Sequence, residues 1–490
     1  MTPPVLMLLA LLLPLVAVGP ILMARRNPNL REAVSLAAAV LLFLVVLGLF
    51  GPVASGQRPE LVLVEMLPGL SLALKLEPLG MLFALVASAL WPVTTLYAVG
   101  YMRGHHEKNQ TRFYAFFAIA ISAAMGIAMA GNMLTLFVFY EVLTICTFPL
   151  VTHAGTPEAK KAGRVYLGIL IGTSVVFQLL AIVWTWVAAG TLDFAPGGIL
   201  AGKVSDGAVA VLFALYVFGV GKAAVMPFHR WLPAAMVAPT PVSALLHAVA
   251  VVKAGVFTVL KVTVYVFGLD LLAATGGGAW LVWVAGFTIV VASLVALTKD
   301  NLKARLAYST ISQLSYVVLG AAILAPVSVL GAAVHIAAHA LGKITLFFAA
   351  GAVMVASHKT EVSQLAGIGR RMPWTMGAFA IGALSMIGLP PTAGFVSKWY
   401  VLNGAVETGQ MLAVAVVVAS TLLNAGYFLP IVYSAFFGRE VHDGHHHHAH
   451  GEAPWPSVVA LTITAAGTVA LFLMPDWAIG LAGDLVGRQP

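Results

Sequence analysis

The sequence contains little charge and a single cysteine. Of its 490 residues, 9% are Asp, Glu, Lys or Arg and 61% are hydrophobic, whereas soluble domains carry roughly 25% charged residues. The one cysteine, Cys146, excludes a disulfide within the chain and an iron–sulfur cluster ligated by this chain alone. This composition predicts a multi-pass membrane protein without a resident cofactor.

Long hydrophobic runs stand where a soluble protein would have charged segments. A hydrocarbon core of roughly 30 Å needs about 20 apolar residues per helix, and the sequence holds fourteen such runs. We therefore predict an all-α polytopic membrane protein with about 14 transmembrane helices. The runs begin near residues 3, 33, 76, 113, 132, 165, 207, 241, 279, 304, 328, 374, 410 and 456.

The basic residues predict the orientation of the chain. The net charge of +8 does not require nucleic acid as a partner, because the basic residues concentrate in alternate loops. If the N-terminus lies outside, the outer loops and the C-terminus hold only Arg58, Lys203 and Arg488, as the positive-inside rule expects. We predict a bacterial inner-membrane protein with both termini in the periplasm. The apolar start lacks a basic n-region and predicts a first spanning helix rather than a cleaved signal peptide.

Two blocks of five runs predict an internal repeat. Runs 4 to 8 (113–267) and runs 9 to 13 (279–437) follow the N-terminal runs of 1–112. Because five is odd, the blocks would be inverted relative to each other. Proline interrupts the fourth run of each block, in GVGKAAVMPFHRWLP and GLPPTAGFVSKW. Broken helices at corresponding positions of two halves predict a transport site.

A histidine-rich segment follows the second block. VHDGHHHHAHGEAP lies within 438–455, before the last run and tail at 456–490. We expect a solvated cytoplasmic loop; weak metal binding and pH sensing are the alternatives.

Ionisable residues inside the runs are the candidate functional groups. A charge at mid-membrane depth costs about 2.5–3.5 kcal/mol on insertion scales and usually marks an ion path or a buried pair. Glu141 lies within FVFYEVLTICTFPLV, and Lys222, Lys253, Lys343 and Lys398 occupy later runs. Making and breaking a Glu–Lys contact can switch an amine between proton donor and acceptor. We predict a proton relay; the alternative is a static Glu141–Lys222 pair that only fixes packing.

Histidines extend the pattern. His247 precedes Lys253 by six residues, and His335, His339 and Lys343 recur every four residues, which places the last three on one helix face. Histidine can pass protons near neutral pH. A metal site at His335 and His339 is disfavoured because no carboxylate or cysteine lies nearby, so we predict no metal site.

Four segments carry a resemblance to a known family. The chain resembles the proton-translocating, antiporter-like subunits shared by Mrp-type sodium/proton antiporters and respiratory complex I. The resemblance implies a Glu141–Lys222 pair that controls proton entry, a hydrated axis through Lys253 and the His335–Lys343 stripe, and Lys398 as terminal exchange group. The matching segments are FYEVLTICTFPLV, GKAAVMPFHRWLPAAMVAPTPVSALLHAVAVVKAG, HALGKITLFFAAGAV and GLPPTAGFVSKWYVL.

Within the family, Lys398, the segment beginning HKTEVSQLAGIG and the length resemble the D-type subunits of Mrp antiporters best. PTPVSALLHA is also similar to the larger antiporter subunit and its complex I counterpart, whose C-terminal extensions this sequence does not show. The expected function is that of a subunit of a monovalent cation/proton antiporter, with H⁺, Na⁺, other membrane subunits and the bilayer as partners. The alternatives are a proton-pumping subunit of a complex I-like, hydrogenase-linked or carbon-uptake assembly, a structural scaffold, and a carrier that works alone.

Overall fold

The computed structural model describes residues 1–439 and 451–487. Eleven helices in this part of the chain are long and apolar enough to cross a membrane. Three further passes, at 206–219, 302–322 and 373–407, complete one helical pass for each of the fourteen runs. The helices are α1 Pro3–Met23, α2 Pro28–Ala54, α3 Pro78–Gly104, α4 Gln110–Ala128, α5 Met133–Val151, α6 Pro157–Thr173, α7 Leu179–Ala189, α8 Asp206–Gly219, α9 Trp231–Ala234, α10 Thr240–Ala244, α11 Val251–Lys261, α12 Leu269–Thr275, α13 Ala279–Thr298, α14 Leu302–Ala322, α15 Pro326–Ser357, α16 Pro373–Ile387, α17 Ala393–Glu407, α18 Met411–Phe437, α19 Trp455–Leu473 and α20 Asp476–Leu485.

Both predicted helix breaks are present. In the seventh pass, α8 ends at Gly219 and a short 3₁₀ turn, Gly221–Ala223, follows. In the twelfth pass, α16 ends at Ile387 and α17 begins at Ala393. Each break leaves backbone carbonyls without intrahelical donors, and such groups are tolerated at membrane depth only against protein or water.

Two helices deviate from α geometry where the sequence suggested continuity. The eighth pass contains a π-helical turn, Leu245–Val249, between α10 and α11, and another, Val262–Phe267, after α11. The sixth pass has a π-helical turn at Ser174–Gln178, between α6 and α7. Such turns are rare and frequently occur at functional sites.

The chain also forms one β-hairpin, which the all-helical prediction did not include. Strands β1 Glu60–Leu67 and β2 Leu70–Lys75 pair in antiparallel register, with Glu60 opposite Lys75 and Leu67 opposite Leu70. Strand β2 is buried at Ala73 and Leu74, and β1 is largely exposed. The hairpin contacts α5 through β2 and leads into α3.

Helices rich in polar groups occupy the centre of the bundle. The pass Thr240–Phe267 is buried throughout, and α15 packs against α14, α16 and α17. The first two helices expose much of their apolar surface, with a third of the span residues buried. Burial of α11 and α15 inside protein follows from their lysines and histidines, because such groups are costly in contact with lipid.

The histidine-rich segment lies outside the described residues, apart from its last four positions. Among those four, Glu452 caps α16: one carboxylate oxygen accepts the N–H of Trp374 at 2.7 Å and the other accepts the hydroxyl of Thr375 at 2.6 Å. The acid therefore interacts with a helix N-terminus, where negative charge is favoured. The block boundaries at 113–267 and 279–437 stay predictions.

Candidate functional site

The first candidate pair lies where α5 meets the break after α8. Asn132 caps α5, its side-chain oxygen accepting the N–H of Thr135 at 2.8 Å; this start places Glu141 in the third turn. Lys222 lies in the 3₁₀ turn and is fully buried. The carbonyl of Gly221 accepts the indole N–H of Trp231 at 3.0 Å, which holds the turn in place.

The two charges of this pair do not touch. Lys222 Nζ donates to the carbonyl of Tyr140 at 2.8 Å and to the Thr144 hydroxyl at 2.5 Å, and it lies 3.1 Å from the centre of the Tyr140 ring. Glu141 is partly buried; its Oε1 is buried without a hydrogen-bond partner. No Glu141–Lys222 ion pair of 4.0 Å or less is present. Neutral oxygen atoms and a π face therefore surround the ammonium group in this state.

The middle of the site joins α11 to α15. Lys253 Nζ contacts His339 Nδ1 directly, and both side chains are buried. The rings of His339 and His335 lie one helical turn apart with centroids separated by 6.0 Å. His335 Nδ1 is 2.8 Å from the hydroxyl of Ser397 on α17. The predicted α15 stripe thus connects the eighth pass to the second half of the twelfth.

His247 lies in the π-helical turn before α11 and forms no hydrogen bond in the structure. Both of its ring nitrogen atoms are buried and unpartnered, and its ring packs 4.7 Å from the centroid of Phe347. The structure therefore places His247 beside the relay groups without connecting it to them.

Lys343 is fully buried on α15 and donates to the hydroxyl of Ser309 on α14 at 2.8 Å. Ser309 belongs to the polar set of α14 that the sequence shows in AYSTISQLSYV. The other members of that set, Thr310, Ser312, Gln313 and Ser315, are buried as well.

Lys398 lies one turn into α17, beside the break. Its Nζ donates to the carbonyls of Met386 at 2.6 Å and Ile387 at 3.1 Å, and it lies 4.5 Å from the centre of the Tyr316 ring. The carbonyl end of a helix carries partial negative charge, which favours a cation there. Gly388 has φ +92° and no side chain, and a Cβ at this position would lie 2.7 Å from the Lys398 side chain.

These contacts make the site an extended row rather than a single pocket. Each of the lysines 222, 253, 343 and 398 is buried and bonded to carbonyl, hydroxyl or imidazole groups, and none has a carboxylate within 4.0 Å in the described residues. Like charges this deep in protein repel. The arrangement is therefore suited to moving a small number of protons from group to group.

Sequence reasoning missed a buried ion pair. Lys261 on α11 lies 2.6 Å from a carboxylate oxygen of Glu77, donates to the carbonyl of Ala130 at 2.8 Å, and contacts the Phe194 ring at 4.2 Å from its centre. Glu141 is therefore not the only acid placed deep in the bundle. The signal in the sequence was a lysine inside run 8 and a glutamate directly before α3, but nothing showed that they meet.

In residues 1–439 and 451–487, no group of three or more His, Cys, Asp or Glu side chains is arranged to hold a metal ion.

Comparison with known proteins identifies related chains. The family model described as NADH:quinone oxidoreductase/Mrp antiporter, TM matches residues 130–424. NADH-quinone oxidoreductase subunit N of Desulforudis audaxviator is 36% identical over 75% of this chain and 74% of its own length. The D subunit of the Na⁺/H⁺ antiporter of Alkalihalophilus pseudofirmus is 26% identical over 89% of this chain and 88% of its own length.

Other relatives are longer than this chain. Hydrogenase-4 component B of Escherichia coli is 30% identical over 83% of this chain, which spans only 63% of that protein.

Two solved structures share the fold. A chain of the archaeal membrane-bound sulfane sulfur reductase, a respiratory membrane complex, superposes with a TM-score of 0.85 at 24% identity, covering 98% of both chains. A chain of the Mrp complex from Dietzia superposes with a TM-score of 0.82 at 22% identity, covering 98% of this chain and 97% of its own.

Proposed function

The chain belongs to the NADH:quinone oxidoreductase/Mrp antiporter transmembrane family, and on that premise we propose that it is a membrane subunit of a multisubunit monovalent cation/proton antiporter. Its role is to conduct protons along the buried row of lysines and histidines, with Na⁺ as the exchanged cation. The observation that carries the proposal is the row of lysines 222, 253, 343 and 398, which are buried and have no carboxylate within 4.0 Å in the described residues. A scaffold has no need of such costly groups.

Glu141 is the proposed proton entry. It is the one partly exposed member of the row, and its buried Oε1 faces no donor. A proton taken up here neutralises the carboxylate and weakens its attraction for the nearby Lys222 ammonium. Movement of the charge between Lys222 and the central groups follows from that change.

Lys253 and His339 are the proposed central exchange pair. Their direct contact allows a proton to pass between amine and imidazole without an intervening group. His335 and Ser397 then bring the row to α17, where Lys398 lies at the break and serves as the terminal exchange group. Lys343 and His247 lie beside this line and are further proposed proton-translocating groups.

Assembly and orientation complete the proposal. Both family relatives and fold neighbours include chains of multisubunit membrane complexes, so we place this chain among other membrane subunits in a bacterial inner membrane, with both termini in the periplasm. The two blocks, 113–267 and 279–437, form the proposed inverted repeat, with the broken passes at corresponding positions.

The test is cation/proton exchange in everted membrane vesicles from an antiporter-deficient host. Three conditions are compared: the wild-type chain alone, the wild-type chain together with the proteins encoded by its genomic neighbours, and the Glu141→Ala variant together with the same proteins. We expect exchange to require the neighbours and to fall about tenfold or more in the variant, which corresponds to a transport barrier higher by at least roughly 1.4 kcal/mol. Glu407→Ala, which removes an exposed carboxylate at the end of α17, is the matched control. Unchanged exchange in Glu141→Ala would refute the assignment of Glu141.

A second candidate function is proton pumping within a complex I-like oxidoreductase. The 36% identity to NADH-quinone oxidoreductase subunit N favours it. Co-purification of the chain with a redox module, together with absence of cation/proton exchange in every combination, would select this function over antiport.

A further inference from the structure

Side chains of α14 and α18 form a hydrogen-bonded row that begins at Lys343. The Lys343 ammonium donates to Ser309 Oγ at 2.8 Å, and the hydroxyl of Tyr427 lies 3.0 Å from the same oxygen. The Tyr427 hydroxyl also donates to the side-chain oxygen of Asn424. All four side chains are fully buried, so bulk water does not replace these contacts.

Gln313 continues this row to Lys398. Its Nε2 donates to the carbonyl of Met386 at 3.2 Å, and the same carbonyl accepts from Lys398 Nζ at 2.6 Å. Because both nitrogen atoms bond to one oxygen, they are no more than 5.8 Å apart. Gln313 Nε2 also lies 3.4 Å from the Asn424 side-chain oxygen. Gln313 Oε1 is buried without a partner, and buried amide oxygens are usually satisfied by protein or by an ordered water.

We propose that the Tyr427 hydroxyl carries protons between Lys343 and Lys398, as a second connection beside the one through His335 and Ser397. The inference rests on the proposed function. It adds α18 to the proton-carrying elements and assigns Asn424 as the positioning residue that orients the phenol.

The transfer balances with one water molecule as the added carrier. An N–H bond of the Lys343 ammonium breaks as an O–H bond forms on Ser309, whose own proton moves to the Tyr427 oxygen. The Tyr427 proton moves to one water held by Gln313 Oε1, and that water gives a proton to the neutral amine of Lys398. One proton leaves Lys343, one arrives at Lys398, and every hydroxyl and the water keep their original number of protons.

In both connections a hydroxyl has two partners within reach. Ser397 Oγ lies 2.8 Å from His335 Nδ1 and 3.2 Å from the carbonyl of Gly394. The Tyr427 hydroxyl is placed to donate either to Ser309 Oγ or to Asn424 Oδ1. When it donates to Asn424, its oxygen is free to accept from Ser309, which is the arrangement that transfer from Lys343 requires.

The competing explanation is that the Tyr427 hydroxyl only fastens α18 to α14. Tyr427→Phe removes the hydroxyl and keeps the ring, which packs 4.6 Å from the Phe428 ring centroid. The matched control is Tyr216→Phe, which removes the hydroxyl of another buried tyrosine, bonded to Thr185 at 2.8 Å and to none of the lysines 222, 253, 343 and 398. We expect both variants to assemble with their partner subunits. Exchange normalised to assembled complex should fall about tenfold in Tyr427→Phe and stay within about twofold in the control.

Fluorotyrosine at position 427 distinguishes proton transfer by the hydroxyl from a purely structural contact between α18 and α14. It is also the test to use if the phenylalanine variant assembles poorly. Fluorination keeps the hydroxyl and nearly the same size but makes the phenol more acidic. A carrier then shows a changed exchange rate and a shifted pH profile, whereas a purely structural tyrosine shows neither.

Wild-type exchange rates in Tyr427→Phe, or an unchanged rate and pH profile with fluorotyrosine, would overturn the inference. If Glu141→Ala still abolishes exchange in that case, the proposed function stands and only the role of Tyr427 is rejected. Absence of cation/proton exchange in the wild-type complex would reject both.

Discussion

The Lys261–Glu77 ion pair offers a direct test of how buried charge is held in this bundle. The two groups are 2.6 Å apart, Lys261 is fully buried, and the Glu77 side chain is 10% exposed. Coulomb attraction at this distance is about 6 kcal/mol for an effective dielectric constant near 20. Removing each ion from water costs several kcal/mol. Because this cost offsets the Coulomb attraction, the intact pair contributes little net stability to the fold.

Removal of one partner has a much larger effect than removal of both. Lys261→Met leaves the Glu77 carboxylate buried without its cation, and Glu77→Gln leaves the ammonium group with neutral acceptors alone, the carbonyl of Ala130 among them. Each single variant should lose about 3–5 kcal/mol, whereas the double variant should lie within about 1 kcal/mol of wild type, because two apolar or neutral groups leave no stranded charge.

The assay is thermal unfolding of the purified, detergent-solubilised protein. Wild type, the two single variants and the double variant are measured in the same buffer. Lys75 also pairs with a carboxylate, at 3.8 Å from Glu60, but it is 39% exposed. Lys75→Met is therefore the matched control, with an expected loss of at most about 1 kcal/mol. Equal destabilisation by the double and single variants, or a Lys75→Met loss as large as that of Lys261→Met, would refute this reasoning.

Two further predictions concern packing and pH. Gly394→Ala should destabilise the fold by about 2 kcal/mol or more and so strongly reduce assembly, because a Cβ there would overlap the Ser385 carbonyl oxygen. Gly377 has open space around it, so Gly377→Ala should be neutral or stabilise α16 by up to about 1 kcal/mol. Assembly yields on size-exclusion chromatography compare the two, and equal yields would contradict the packing argument. Hydrogen bonds from the side chain and backbone of Ser363 hold the pKa of Asp300 below its usual value of 3.8. The contribution of the ionised Asp300 carboxylate to the free energy of unfolding is therefore present above pH 3.8 and is lost as the pH falls through the lower pKa of the folded state. Asp300→Asn should therefore lower the unfolding temperature at pH 7 and make no difference in strong acid; a pH-independent difference would contradict this.

Much of the fold could be predicted from the sequence because a bilayer imposes few solutions. Apolar runs of about 20 residues must be helical, since no water is present to satisfy the backbone. Proline-containing segments at 219–233 and 388–399 predicted both breaks, because proline removes a backbone donor and clashes with the preceding turn. The hairpin at 60–75 was missed because these residues lie between two apolar runs, where this constraint does not apply.

The candidate residues could be identified from the cost of burying charge. Glu141, Lys222, Lys253, Lys343 and Lys398 stood out as ionisable groups inside apolar runs, and the structure buries all four lysines. Apart from His339, their partners did not stand out, since serine, threonine and tyrosine occur in many helices and backbone carbonyls in all of them. The expected Glu141–Lys222 contact is replaced by contacts of Lys222 with the carbonyl and ring of Tyr140 and the hydroxyl of Thr144.

The sequence by itself determined that this chain crosses a membrane many times, where its helices break, and which charges must be sheltered from lipid. Those properties depend on local hydropathy and on backbone chemistry, which each segment carries alone. Only the tertiary structure decided which groups meet: Lys253 with His339, Lys261 with Glu77, and Lys343 with Ser309. These pairs join residues that are distant in the chain, and their contacts depend on how the helices rotate and pack.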